Sequence, residues 1–350
     1  MNNLKIIFLC DASIKSGLGH FMRSLAIAES LSESGVKNIL FLVEQKTDIT
    51  KYFKKINFIH FNYLKTNKET FLSINQIITY ENPKLLFLDT KLDFPKHFFN
   101  SLKDKSIKIA TIDDNHEKRL ESDISFYPPQ ESVYNLDWKN YKGNLNIGWD
   151  WIALRSEFFQ KQKQSIEINH NKKKKDVLIT MGGSDPNNIT LLILENLTDE
   201  IFEKYNINVV LGASNPYKSE VNNFKLKVNN KFNIIENPSR ISDIMRGSDF
   251  AICTFGITAY ELAALQIPAF HICLDKDHLD SSNLFVKNQM AISLGMYNFI
   301  DKKILNQFIF EEKRLDLLLM QIRKNCKKYI DTSGAKRIAS KLIFICENNL

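Results

Sequence analysis

Asp11–Leu31 reads DASIKSGLGHFMRSLAIAESL, and the fold is decided here. Before it, Leu4, Ile6, Ile7, Phe8 and Leu9 make a nearly unbroken apolar run, the pattern of a parallel strand buried on both faces. Gly17 and Gly19 then permit a tight turn and a close approach of backbone to ligand. The helix that follows aims its free N–H groups at the same place. An anion is the natural occupant. His20 and Arg23, three residues apart, share one face of this helix, while Phe21, Leu25 and Ala28 turn towards the sheet. Gly35 stands where a helix C-cap is expected.

These glycines do not complete a dinucleotide fingerprint, because Met22 occupies the place of the third glycine in GxGxxG. His20 beside an anion site is suited to general-base chemistry near neutral pH, or else it is an imidazole packed on a loop at a helix start. Arg23 is open to two readings in the same way, as a ligand contact or as a solvated surface charge.

With 350 residues, the chain exceeds what one core usually supports, so two domains of about 150 to 170 residues are expected. A composition of 44% hydrophobic and 25% charged residues is that of an ordinary globular protein. The net charge of +7 is concentrated partly in Lys172–Lys175, which reads as a solvated linker. No basic helix with interleaved aromatics and no zinc module speaks for nucleic acid. The five cysteines are scattered and include no CxxC pair, as in a reduced cytoplasmic protein. The N-terminal apolar run is too short for a signal peptide, and no stretch is long enough for an integral membrane segment. Oligomeric state is not legible.

Along the chain, Ile39–Val43 and Phe58–Phe61 read as strands and Thr70–Tyr80 as a helix. Leu85–Leu88 is a strand closed by Asp89, and Ile107–Ile112 is one closed by Asp113 and Asp114. Alternation of strand and helix implies a parallel sheet with ligands at the carboxyl ends of its strands. Asp89, Asp113 and Asp114 stand at such ends, where Asp also serves as a turn or helix cap. Glu117–Trp151 reads as a long irregular connection and Gln160–Lys175 as an interdomain linker.

The second half opens as the first did. Val177–Thr180 is a strand and Gly182-Gly183-Ser184-Asp185-Pro186 a glycine turn, with a helix from about Asn187. Strands follow at Ile207–Leu211, Phe232–Ile235, Phe250–Cys253 and Pro268–Cys273, with Ser239 expected to cap a short helix. After Cys253, Gly256, Thr258 and a helix start come together, an arrangement suited to a diphosphate. Glu261 is placed to accept from ribose hydroxyls, or is a solvent-facing charge. Leu315–Ile343 is expected to form amphipathic helices at the domain junction. The expected division is therefore 1–159, a linker 160–175, and 176–350 including the C-terminal helices.

Gly17-Leu18-Gly19-His20-Phe21-Met22-Arg23, Ile112-Asp113-Asp114, Ile147-Gly148 with Ala153-Leu154-Arg155 and Phe158, Met181–Asp185 and Gly256–Glu261 together resemble the PseG/SpsG family of nucleotide-sugar enzymes. That family is similar to the lipid-intermediate glycosyltransferase MurG. The resemblance implies an α/β fold of two Rossmann-like domains facing across a cleft, the GT-B architecture. It implies hydrolysis of a UDP-linked diacetamido-trideoxy-altrose for pseudaminic-type acid or other surface-glycan synthesis, without a cofactor or obligatory metal. His20 would activate water. Gly17, Gly19, Arg23, Asp89, Asp113 and Asp280 would line the sugar and diphosphate, while Gly182, Gly183, Ser184, Gly256, Thr258 and Glu261 would hold UDP.

Two departures from the family pattern fall on the sugar side. Lys91 replaces a tyrosine two positions after Asp89, and His278-Leu279-Asp280 stands where an Asn-Gln pair is expected. The alternatives are therefore a glycosyltransferase with a UDP-sugar donor, or a non-catalytic partner that binds a nucleotide sugar.

Overall fold

The computed structural model describes residues 4–12, 19–44, 57–61, 67–159, 173–306 and 312–348. Two compact units divide the chain: Met1–Arg155 with Ser333–Leu350, and Ser156–Thr332.

The first unit runs β1 (Lys5–Cys10), α1 (Gly19–Glu33), β2 (Asn38–Glu44), β3 (Asn57–Phe61), α2 (Asn67–Glu81), β4 (Leu85–Asp89), α3 (Lys96–Asp104), β5 (Lys108–Ile112), β6 (Ile124–Tyr127) and β7 (Asn144–Ile147). Its strands are all parallel, in the order β3-β2-β1-β4-β5-β6-β7. The alternation of β1 explains its apolar run. Ile6, Phe8 and Cys10 enter the core beneath α1, whereas Ile7 and Leu9 pack on the opposite face with Ile74, Ile78 and Phe98. Phe8 meets Phe41 at 5.0 Å and Phe87 at 4.9 Å, forming an aromatic row across three neighbouring strands. Burial of one such ring is worth about 1.5–3 kcal/mol.

On α1, Phe21, Leu25 and Ala28 are buried against the sheet as their spacing predicts. The helix ends in a Schellman arrangement: the N–H of Val36 donates to Leu31 O and that of Gly35 to Ser32 O, both at 3.0 Å. Gly35 takes φ +95°, the conformation that favours glycine there.

In the second unit, β8 (Lys175–Thr180), α4 (Ile189–Asn196), α5 (Asp199–Lys204), β9 (Tyr205–Leu211), α6 (Lys218–Lys227), β10 (Asn233–Glu236) and α7 (Ile241–Arg246) come first. They are followed by β11 (Phe250–Thr254), α8 (Ile257–Ala264), β12 (Ala269–Cys273), α9 (Lys276–Lys287), β13 (Ile292–Met296), α10 (Lys302–Asn306) and α11 (Glu312–Tyr329). The parallel order is β10-β9-β8-β11-β12-β13. Each sheet thus reverses its strand order once, between β1 and β4 in the first unit and between β8 and β11 in the second. Open α/β sheets bind ligands at the carboxyl ends of the strands flanking that point.

The final helix, α12 (Gly334–Glu347), corrects the expected division. Ala335, Ile338, Ala339 and Leu342 complete the core beneath α1, so the chain returns to the first unit after Thr332. A Cβ on Gly334 would lie 2.1 Å from Ile152 O, so only glycine admits this approach. By contrast, α11 stays with the second unit through Leu315 and Leu319.

Other expectations also change. Glu117–Trp151 is not an unbroken connection, since β6 and β7 extend the first sheet from within it. β13 was not foreseen. Arg240, without a side-chain cap bond, occupies the N-cap of α7, rather than Ser239. Of the expected linker, 160–172 lies outside the described residues, and Lys175 already begins β8. Among the described residues, no helix is long and apolar enough to cross a membrane.

Candidate active site

At the reversal point of the first sheet, β1 leads to α1 and β4 ends at Asp89. His20 is the second residue of α1, and Arg23 follows on the same face. His20 Nδ1 lies 2.6 Å from Asp89 Oδ1. Arg23 donates from Nη2 to Asp89 Oδ1 at 2.6 Å and from Nε to Asp89 Oδ2 at 3.0 Å. Ser24 Oγ donates to Asp89 Oδ2, also at 3.0 Å. The third guanidinium nitrogen, Nη1, donates to Asp113 Oδ2 at 2.7 Å.

Burial alone would raise the Asp89 carboxyl, but Arg23 and His20 overcome it and hold this group well below the usual carboxylate range. Burial likewise works against the Arg23 charge, and Asp89 and Asp113 outweigh it, keeping the guanidinium firmly protonated. Cys10, buried beside Asp89, has its thiol pushed well up by burial and by that carboxylate.

The cluster changes the expected roles of two residues. Asp89, foreseen as a substrate contact, has only 1% of its side chain exposed and spends both oxygens on α1. Arg23 commits its donors to two carboxylates. Both therefore act on His20 and Asp113. Asp113 is the most exposed member of the cluster: it sits at φ +55° after β5, its side chain 32% exposed. Gly19 begins α1, and Gly17 lies outside the described residues.

Ser24 went unforeseen, although it lies four residues after His20 on the same helical face. Also unforeseen was the clamp made by Asp11, which accepts from Thr90 Oγ1 at 2.5 Å and from the Lys91 N–H at 2.9 Å. It ties the end of β1 to the loop after β4 and leaves the Lys91 side chain exposed. Asp114 takes the structural option. It accepts from the His116 N–H at 2.8 Å and pairs with buried Lys118 at 2.9 Å, while Tyr127 donates to its carbonyl. Burial raises the Asp114 carboxyl, with Lys118 opposing.

In the second unit, both glycine turns flank the reversal point between β8 and β11. Gly182 has φ +76°, and Gly256, the N-cap of α8, has φ +153°. A Cβ at Gly182, Gly183 or Gly256 would meet nothing within 4 Å, so these backbones border open space. Gly212 is the opposite case, for its Cβ would fall 2.3 Å from Gly183 O. Asp185 is buried and caps α4, accepting from the N–H groups of Ile189 at 2.8 Å and Thr190 at 3.0 Å. Ser184 is half-buried, while Thr258 and Glu261 are buried within α8. Asp280 is half-buried on α9, in this unit rather than with Asp113. Among the described residues, no group of three metal-binding side chains converges.

No protein-family model matches the chain. It is 21% identical to the spore coat polysaccharide biosynthesis protein SpsG of Bacillus subtilis, over 97% of this chain and 98% of that protein. To the UDP-2,4-diacetamido-2,4,6-trideoxy-beta-L-altropyranose hydrolase of Campylobacter jejuni it is 23% identical, over 81% of this chain and 97% of that protein. An uncharacterized protein of Methanocaldococcus jannaschii is 29% identical over 76% of this chain, which spans only 54% of that relative. Among solved structures, MurG of Acinetobacter baumannii superposes with a TM-score of 0.66 at 11% identity, covering 97% of this chain and 99% of that one. The UDP complex of Staphylococcus aureus MnaA gives a TM-score of 0.69 at 15% identity, over 98% and 97%. The resemblance to the PseG/SpsG family is borne out, and the fold is that of the two-domain GT-B proteins.

Proposed function

We propose that this chain hydrolyses a UDP-linked amino-deoxy sugar, releasing UDP and the free sugar, with His20 as general base. The observation that carries the reading is the anchoring of the His20 ring to the buried carboxylate of Asp89 at the carboxyl end of β4. It is supported by the C. jejuni relative, whose name records such a hydrolase. In the proposed step His20 takes a proton from water, the water oxygen bonds to the anomeric carbon, and the bond from that carbon to the diphosphate oxygen breaks with inversion. The departing charge would be met by N–H groups around Gly182, Gly183 and Ser184 and at the start of α8, from Gly256 to Thr258, with Glu261 as the ribose acceptor.

In the first unit the sugar would be read by Gly17, Gly19 and Asp113, with Lys91 as a further candidate. Because Lys91 and Asp280 depart from the family pattern, a glycosyltransferase using the same donor is the second reading. The deciding experiment incubates purified protein with the UDP-linked diacetamido-trideoxy-altrose, without an acceptor, and follows proton NMR. Release of UDP and sugar in step supports hydrolysis. An inert donor that still binds through UDP would transfer the choice to a glycosyltransferase or another sugar.

A further inference from the structure

We infer that Asp89 is a positioning residue that fixes the proton of neutral His20 on Nδ1 and reserves Nε2 as the base, within a cluster arranged to receive one proton. The inference rests on the proposed role of His20, but the geometry behind it is independent of the substrate.

An ionised carboxylate can only accept hydrogen bonds. Asp89 Oδ1 stands 2.6 Å from His20 Nδ1, so that nitrogen must carry the hydrogen. Arg23 Nη2 also lies 3.2 Å from the same Nδ1, yet a guanidinium has no lone pair to offer. The two donors therefore sit side by side and share Oδ1 as acceptor. With Nδ1 engaged, the lone pair of neutral imidazole is on Nε2. The His20 side chain is 24% exposed, enough for water to reach it, whereas Asp89 is sealed.

The bonds on Asp89 also decide whether it can turn. Its second oxygen accepts from Arg23 Nε and Ser24 Oγ, which holds the carboxylate plane and so the imidazole it anchors. Charge points the same way. Asp89 and Asp113 carry two negative charges against one positive charge on Arg23. The cluster is thus one negative charge in excess while His20 is neutral, and balanced once Nε2 has taken a proton. Beside the sealed carboxylate of Asp89, the charge that the base acquires is met by a group already in place, without any movement of the protein.

The test is a two-bond proton–nitrogen spectrum of the full chain labelled with nitrogen-15 histidine, without substrate, using His20→Gln to assign the signal. Neutral His20 protonated on Nδ1 is the expected result. Protonation on Nε2 overturns the inference, even if His20→Ala abolishes hydrolysis, and that second result would leave the proposed reaction standing. In Asp89→Asn, the amide cannot satisfy both His20 and Arg23. Turnover should fall by roughly 10²–10⁴ with KM changed only a few-fold, and the His20 spectrum should lose its uniform Nδ1-protonated form. Unchanged turnover and an unchanged His20 spectrum would contradict the inference. Should Asp89→Asn fail to fold, the spectrum of the native chain decides alone.

Discussion

His20 Nδ1 and Asp89 Oδ1 are 2.6 Å apart, joining the start of α1 to the end of β4 across the reversal point of the first sheet. One of these residues is partly open and the other is sealed. On the proposed reading, that asymmetry gives the chemistry to the histidine and the support to the aspartate.

His20→Ala should lower turnover by roughly two to four decades and leave the affinity for UDP nearly unchanged. Steady-state kinetics beside calorimetric titration with UDP checks both halves. Normal turnover in this variant would remove His20 from the reaction.

Arg23→Leu leaves Asp89 and Asp113 without their shared cation. Breaking a buried pair from one side costs about 3–5 kcal/mol, so the urea midpoint should drop sharply. A variant as stable as the parent would show that the cluster contributes nothing net to the fold.

Much of this arrangement is legible in the sequence. The apolar run of β1 and the spacing of His20 and Arg23 locate the cluster, and Asp89 is placed at a strand end. Which side chain Asp89 serves is not legible, because that depends on the register pairing Cys10 with Asp89 between strands far apart in the chain. β6 and β7 escape notice because each has four residues, and β7 carries Asn144 and Asn146. The return of α12 to the first unit depends on contacts with α1 that local periodicity cannot report.

His271, in the middle of β12, is fully buried between the rings of Phe255 and Phe285, with Nδ1 3.1 Å from Ser282 Oγ. Its Nε2 has no hydrogen-bond partner among the described residues. Burial pushes its pKa down to about 3. The sign follows: below the ordinary histidine range the unfolded chain takes up a proton that the folded chain refuses. Stability should therefore fall by about 1.4 kcal/mol per pH unit from near 6.5 towards 3 on account of this group. Asp89 loses its contribution only lower, as pH drops through and below the ordinary carboxylate range. Between about pH 4.5 and 6.5, His271→Leu should flatten the stability profile relative to the parent, and parallel profiles would refute the assignment.

Gly212→Ala introduces a Cβ 2.3 Å from Gly183 O, where backbone must shift. If the Gly182–Ser184 turn holds UDP, affinity should weaken by roughly tenfold, about 1.4 kcal/mol. The His20 spectrum, belonging to the other unit, should not change. Unaltered calorimetric affinity would argue against this turn as the nucleotide site.

The most direct test of the central claim is to run the reaction in water enriched with oxygen-18 and weigh the released UDP by mass spectrometry. Attack of water on the anomeric carbon, with His20 as base, predicts UDP of unlabelled mass in every turnover. UDP heavier by one oxygen-18 would mean that water attacks phosphorus, and that result contradicts the account.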